Sequence, residues 1–504
     1  MQKKKFANFR PTYLLGLTAI IFSIILFSCA FSGYKVATTF VVLTISIILL
    51  LAVLLFYYNK VKLAKVITLS LVVALIISIN GILTIKKHDD AYDYIHKRTS
   101  VEIIEIKSVN KIGDLYDYNF IAKFEDKGVF YNANFNLKID IELFNGFILD
   151  AYAEYNKINL KGGSYNLLNG INYSGSIEKI YNIDKDSLNG FSKLKIKMLN
   201  VFRNKMPLSA GFCYAVLTGD TAYVNDSVLT DFRNTGTAHV FAVSGLHIGF
   251  LFSILSTLLK LLKVKNKHKF FIIAPLLLLY VAFCGFQTSC LRAFIIIASY
   301  TFAKSFGFKA DNLSALLLSL VIVLIVKPFD LFSVGFQLSY AVYLSLILLA
   351  RPFERTLNKI LPTFLSKVLA PSIVAYLSSL PIMLDNFSSV SLFAYLFNVF
   401  IIPIISVAYF ILFPFTVFAL IFEFLQIILI VPDVILGALI FVVSKMDTGI
   451  FMLTGITFSL SAIPYYLIMF THSGLINLSK RAKSTIVLIL FITFIILFIL
   501  INVI

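Results

Sequence analysis

Five apolar runs constrain this chain more than any other feature: Tyr13–Phe31, Val36–Tyr57, Val66–Leu83, Val240–Leu259 and Thr485–Val503. Each is long enough to cross about 30 Å of hydrocarbon, which takes about 20 residues of helix. Inside a bilayer every backbone N–H and C=O must find its partner within the protein, so such runs form helices. The composition agrees. Only 14% of the residues are charged, against about 25% in soluble domains. Much of the surface therefore faces lipid, and a wholly soluble protein is excluded.

The charges are unevenly placed. Between Lys86 and Lys197 lie 16 of the 26 acidic residues and 16 of the 44 Lys and Arg, so this stretch is neutral. The whole net charge of +18 belongs to the apolar remainder. The positive-inside rule accounts for it, because Lys and Arg collect in cytoplasmic loops. Attraction of a polyanion is the sharper reading.

The basic loops give a topology. Lys3, Lys4, Lys5 and Arg10 place the N-terminus in the cytoplasm. The run up to Ser28-Cys29 imitates a signal sequence, but Phe27 stands where a small residue is expected, so it reads as an uncleaved first helix. Lys60, Lys62 and Lys65 return the chain inside, and a third span ends near Lys86. The neutral stretch then lies outside. The loop Lys260–Lys269 is inside, so residues 208–236 stay outside or enter only partway. Spans at Phe270–Phe283, Leu291–Phe306, Leu313–Val326, Leu331–Ala350 and Lys367–Leu384 put each later basic cluster inside, Lys327 excepted. Pro403, Pro414, Pro432 and Pro464 imply broken or re-entrant helices. About ten to twelve spans are expected.

The neutral stretch reads as a small all-β domain. From Val129 to Leu143 apolar and polar residues alternate, with Tyr131, Ala133 and Phe135 on one face and Asn132, Asn134 and Asn136 on the other. Val101–Ile106, Tyr118–Phe124 and Ile148–Tyr155 are further strand candidates, and Lys161–Ser164 is a turn. An OB-like barrel fits, a fold that often binds single strands or sugars. The expected domains are 1–85, a three-span segment; 86–189, the extracytoplasmic OB-like domain; 190–207, a basic amphipathic linker helix; 208–475, the membrane core; and 476–504, a last span. The linker is either an interfacial helix or a solvated one. None of the four Cys lies in the β domain, no zinc-type Cys/His spacing occurs, and no acidic cluster with a nearby His marks a catalytic site. No metal, cofactor or enzymatic activity is expected.

The segment Thr237-Ala-His-Val-Phe-Ala-Val-Ser-Gly-Leu-His-Ile-Gly249 resembles the signature of the ComEC/Rec2 family of competence membrane proteins. Leu217-Thr-Gly-Asp220 and Phe232-Arg-Asn-Thr-Gly236 resemble its lead-in. Leu291-Arg292-Ala293, Pro328, Gly335-Phe-Gln-Leu-Ser339, Leu380-Pro381, Phe387, Asn398 and Pro403 follow in family order. The resemblance implies an inner-membrane channel that passes single-stranded DNA into the cytoplasm during natural transformation. It also implies partners: a separate DNA receptor, a cytoplasmic helicase or ATPase and a nuclease, alongside membrane lipid and a homo-oligomeric assembly. Many family members carry a metallo-β-lactamase-like domain. These 504 residues hold six His and no H-x-H-x-D-H cluster, so nuclease chemistry of that kind is not expected from them. No GxxxxGK[ST] loop occurs either, so an ATP motor is expected to be a separate protein.

The residues expected along a DNA path are His239, Ser244, His247, Arg292, Gln337, Ser339 and Asn398. Those expected to pack helices are Gly236, Gly245, Gly249, Gly335 and Pro403, because small residues let backbones approach. On one helix His239 and His247 would lie roughly 80° apart around the axis, two turns separated, too far to share a metal. Each His is either bonded to a nearby carbonyl, pore-lining, or coupled to protons or a metal. Arg292 either snorkels to headgroups, meets phosphates or pairs with Asp220 or Asp231. Two rivals to the DNA channel stand: a small-solute or lipid-precursor transporter, and a membrane scaffold for other envelope proteins.

Overall fold

The computed structural model describes residues 11–30, 41, 61–112, 114–158, 164–185, 188–387, 389–391, 394–446, 452–471 and 480–503. In chain order the elements are α1 (Pro11–Ala30), α2 (Val61–Asp89), β1 (Tyr94–Ile112), β2 (Leu115–Asp126), β3 (Val129–Ile139), β4 (Ile148–Lys157), α3 (Ser164–Leu168), β5 (Ile171–Asp184), α4 (Gly190–Lys205), α5 (Ala210–Thr218), α6 (Asp226–Asn234), α7 (Gly245–Leu261), α8 (Asn266–Phe283), α9 (Thr288–Phe306), α10 (Asn312–Val326), α11 (Val334–Leu357), α12 (Thr363–Asn386), β6 (Ser389–Ser391), α13 (Ala394–Ile421), α14 (Ile430–Met446), β7 (Met452–Thr454), α15 (Ala462–Thr471) and α16 (Lys480–Val503). They form two compact units. The first comprises Met1–Asn204, Thr218–Tyr223 and Val264–Ser333; the second comprises Lys205–Leu217, Val224–Lys263 and Val334–Ile504.

In the first unit the strands close a barrel in the order β1-β2-β3-β5-β4, with β4 paired back to β1. Only β3 and β5 run parallel; the other pairings are antiparallel. This is the strand order of an OB-type barrel. The alternation expected for β3 holds at its centre, where Tyr131, Ala133 and Phe135 are buried. It fails at its ends: β3 stops at Ile139, and Val129 and Ile141 are exposed. β5 is not predicted as a strand, because charged and polar residues interrupt its second half. The core is aromatic. Tyr118, Phe120, Phe124, Phe135, Tyr155 and Tyr173 are fully buried, and Phe124 stacks on Tyr155 at 3.8 Å between centroids. A Cβ at Gly175 on β5 would lie 2.2 Å from the Phe135 ring, so only glycine lets β5 pass it. Ile196 of α4 packs against this core, as do Ala222 and Tyr223 of the segment Thr218–Tyr223.

Helices α1, α2, α8, α9 and α10 complete the first unit. α1 lies against both α2 and α10. Small residues do allow close approach here, at positions the sequence does not single out. A Cβ at Gly81 would meet Leu26 at 2.5 Å, and one at Gly16 would meet Leu317 at 3.0 Å. Asn80 Nδ2 donates across to the Ile325 carbonyl at 2.6 Å. The run Val36–Tyr57 lies outside the described residues except for Val41.

Among the described residues seven helices are long and apolar enough to cross a membrane, and four shorter apolar helices accompany them. The protein is a multi-pass membrane protein. The prolines do not break it where expected. α13 runs unbroken through Pro403 and Pro414, and Pro432 and Pro464 lie in the first turns of α14 and α15. A first-turn N–H has no helical acceptor, so proline costs little there. The chain departs from regular α-helix instead at the 3-10 helix Glu423–Leu429, which leads directly into α14, and around the short β6–β7 pair. There the Asp385 carboxylate accepts the N–H groups of Phe458 (2.6 Å) and Ser459 (3.0 Å). Pro381, inside α12, has no N–H for the Leu377 carbonyl four residues back. The Tyr465 hydroxyl supplies that bond at 2.8 Å, and Tyr466 donates to the Ser378 carbonyl at 2.7 Å.

Candidate functional site in the signature segment

The signature Thr237–Gly249 belongs to the second unit and is a turn followed by a capped helix. Helix α6 ends in a Schellman motif: Thr237 N–H reaches the Phe232 carbonyl at 2.8 Å and Gly236 N–H the Arg233 carbonyl at 2.9 Å. Gly236 has φ +72°, which glycine adopts without strain. Its role is therefore the helix stop, in place of the expected helix packing. The Thr235 and Thr237 hydroxyls, both buried, bond each other at 2.9 Å. Phe212, Phe232 and Phe241 form a cluster with centroids 5.1–5.2 Å apart that seats this turn.

His239 lies in the short tight turn Ala238–Val240, not on a helix with His247. The expected angle between them therefore does not apply: α7 begins only at Gly245, because Ser244 caps it. The His239 side chain is exposed. It lies within electrostatic reach of His247.

Ser244 and His247 form a reciprocal cap. Ser244 Oγ accepts the Leu246 N–H at 3.2 Å, and His247 Nδ1 accepts the Ser244 N–H at 2.9 Å. Because Nδ1 accepts, the ring proton of neutral His247 must sit on Nε2. Nε2 is buried and has no hydrogen-bond partner among the described residues. The ring meets Tyr409 of α13 edge-on at 4.6 Å. His247 is thus locally satisfied through one nitrogen and presents a neutral donor through the other.

The remaining expected residues are spread more widely. Gln337 and Ser339 are half-buried on α11. Asn398 is half-buried on α13, and its buried Oδ1 has no partner among the described residues. Gly245 is the first residue of α7. A Cβ at Gly249 or Gly335 meets nothing within 4 Å, so neither is a point of close helix approach among the described residues. A close approach in this unit is at Gly437, where a Cβ would lie 2.7 Å from Leu208. Beside it is a carboxylate missed in the sequence. Asp433 is only 2% exposed and accepts from the Ser209 hydroxyl at 2.7 Å. A lone acid in the apolar run Ile430–Met446 was the available signal.

Arg292 belongs to the first unit. It is buried on the second turn of α9, so it does not extend along an outer face as a snorkelling side chain would. Near the start of the same helix, Gln287 Nε2 donates to the Gly219 carbonyl at 3.3 Å, and Thr288 donates to Asp330 at 2.5 Å. Gly219 has φ +77°, and a Cβ there would strike the Gln287 amide at 2.3 Å. Next to it, Asp220 accepts from Ala222 N–H (3.1 Å) and from Asn145 of the barrel (3.2 Å). Burial pushes the Asp220 carboxyl above the usual carboxylate range. The lead-in's Gly219-Asp220 is therefore a turn that touches both the barrel and the start of α9.

Residues 216–503 match the family model described as Competence protein. ComE operon protein 3 of Bacillus subtilis (strain 168) is 31% identical over 236 residues, which cover 46% of this chain and 30% of that protein. The match thus spans less than a third of that relative's length. No solved structure matches the chain. With its ordered motifs carried on a multi-pass membrane core, the chain belongs to the competence protein family, the ComEC/Rec2 group.

Proposed function

We propose that this chain serves DNA uptake as the inner-membrane conduit through which single-stranded DNA enters the cytoplasm. The observation that carries the reading is His247: a buried ring that offers a donor without a protein partner among the described residues, at the start of a helix in an apolar unit. A DNA strand carries one charge per nucleotide and cannot enter hydrocarbon unaided. Its path needs polar groups that bind weakly, because many cationic contacts would hold the strand through counterion release. A neutral imidazole donor at His247, the exposed His239 and the amide of Asn398 meet that need. On this reading Ser244, Gln337 and Ser339 contribute to the same polar wall of the second unit.

The conduit does no covalent chemistry of its own. The basic loops set the N-terminus in the cytoplasm and the β domain outside. A separate receptor, a cytoplasmic helicase or ATPase and a nuclease act with it, and copies of the chain assemble in the lipid. The test is delivery of labelled DNA to the cytosol, with transformation frequency, in a competent host deleted for this gene. Deletion should abolish both. His247→Ala should lower both at least tenfold while membrane insertion stays normal. His247→Glu keeps an acceptor for the Ser244 N–H and, ionised, offers no donor; full recovery with it would reduce His247 to a helix cap. Unchanged uptake in the deletion strain would sink the proposal.

A further inference from the structure

The outer face of the barrel brings together three side chains that lie far apart in the sequence. His96 on β1, Glu154 on β4 and Glu178 on β5 stand on neighbouring strands. His96 and Glu154 are direct cross-strand partners. Glu178 is the extra residue of a β-bulge: the pairing passes from Tyr152↔Lys179 to Ala153↔Ile177 and skips it. Bulges re-aim side chains, and this one brings Glu178 to within 3.2 Å of His96 Nε2.

The three donor groups lie within 4.8 Å of one another. In a tetrahedral site with bonds of 2.0–2.1 Å, neighbouring donors stand about 3.3 Å apart. The His96–Glu178 distance of 3.2 Å already fits, and the His96–Glu154 distance of 4.0 Å closes with a small turn of the Glu154 side chain. The donors are also supported. The Tyr152 ring meets His96 edge-on at 4.7 Å, and the Tyr94 hydroxyl donates to Glu154 at 3.1 Å. Elsewhere on the barrel Asp126, Asp150 and Glu142 each face a Lys or Arg. Glu154 and Glu178 have no Lys or Arg within ion-pair distance among the described residues; their shared partner is His96. With a neutral imidazole, two adjacent carboxylates lack a counter-charge.

We propose that His96, Glu154 and Glu178 bind a divalent transition-metal ion on the outer face of the barrel. One imidazole nitrogen and two carboxylate oxygens suit Zn²⁺ best, and the exposed side leaves a coordination position for water or an external oxygen ligand. The proposal is independent of the DNA-uptake reading.

The test uses the full, untagged chain in detergent, stripped with a chelator and titrated with Zn²⁺ by calorimetry and with Co²⁺ by visible absorption. One saturable equivalent is expected. His96→Ala and Glu178→Gln should each weaken it at least tenfold, with the circular dichroism unchanged, and His268→Ala should leave it intact. Glu178 is exposed, so its variant remains informative should His96→Ala fail to fold. The proposal is overturned by a wild-type protein that binds no equivalent. It is equally overturned by the same binding in the Glu178→Gln protein.

Discussion

The barrel and the second unit differ in how they treat the charged and polar groups they bury. The barrel pairs its charges: Lys97 with the buried Asp126, Arg98 with Asp150, Arg203 with Glu142. Its interior is left to aromatic rings. The second unit leaves Lys260, Arg351, Lys359 and Glu423 exposed, but it also buries ionisable groups. His247 and Asp433 are each 2% exposed, inside helices whose outer faces are apolar. A buried polar atom left without a partner costs roughly 1–3 kcal/mol, so a group such as His247 Nε2 is a poor choice for stability alone. The barrel's side chains answer to folding. The inward polar groups of the second unit need another reason, and the proposed path supplies one.

The sharpest way to break this contrast is Phe135→Ala. If aromatic packing holds the barrel, removing this ring should cost about 3–5 kcal/mol. Hydrogen exchange in β2 and β3 peptides should then speed up by roughly two to four orders of magnitude. An unchanged exchange rate would show that the strand ladder alone holds the barrel.

Gly219→Ala comes next. A residue with a Cβ in the left-handed region costs about 1–2 kcal/mol, and the new methyl also displaces the Gln287 amide. Adding Gln287→Ala removes the collision but not the backbone strain. The double variant should therefore stay destabilised in thermal unfolding of the detergent-solubilised protein. Full recovery would assign the cost to the collision alone.

In the second unit Tyr465→Phe removes the hydroxyl that serves the Leu377 carbonyl. Hydrogen bonds between membrane helices average about 0.6 kcal/mol and reach about 1.7, and a loss in that range is expected. Pro381→Ala restores a helical N–H for the same carbonyl. In the Tyr465→Phe background it should recover stability, and a further loss would show that the proline itself shapes α12.

Much of this was legible in the sequence. Five later helices lie close to their predicted runs because hydrophobic length is a direct property of composition. The barrel's centre was legible in the alternation around Tyr131–Phe135. Its fifth strand was not, because β5 gains its place from pairing with β3 and β4 rather than from its own pattern. The signature residues were legible as motifs, but their roles were not. Gly236 stops a helix and His247 caps one, and both roles depend on where α6 and α7 end. The His96–Glu154–Glu178 group was invisible, since only the closed barrel brings three distant strands together. Asp433 was visible as a lone acid, yet nothing local named Ser209 as its partner.

The smallest expected effect is also the most discriminating, because two carboxylates of the first unit should respond to acid with opposite sign. Asp150 is exposed, and hydrogen bonds from Arg98 hold its carboxyl below the usual range. Its contribution is present above the unfolded value, about 3.9, and is lost as pH falls through the lower folded value. Solvent screens the pair, so the contribution is small. Burial, first of all, raises the Asp220 carboxyl, and Glu105 adds to this; Ala222 N–H, Lys195 and Asn145 oppose it. The folded protein therefore binds this proton before the unfolded chain does. Its contribution to stability rises as pH falls through the folded value towards about 3.9. Unfolding temperatures of wild type, Asp150→Asn and Asp220→Asn between about pH 3 and 7 separate the two. Asp150→Asn should flatten the acid loss, and Asp220→Asn should steepen it. A shift of both variants in the same direction would mean that the Asp220 carboxylate is held by its donors rather than strained by its burial.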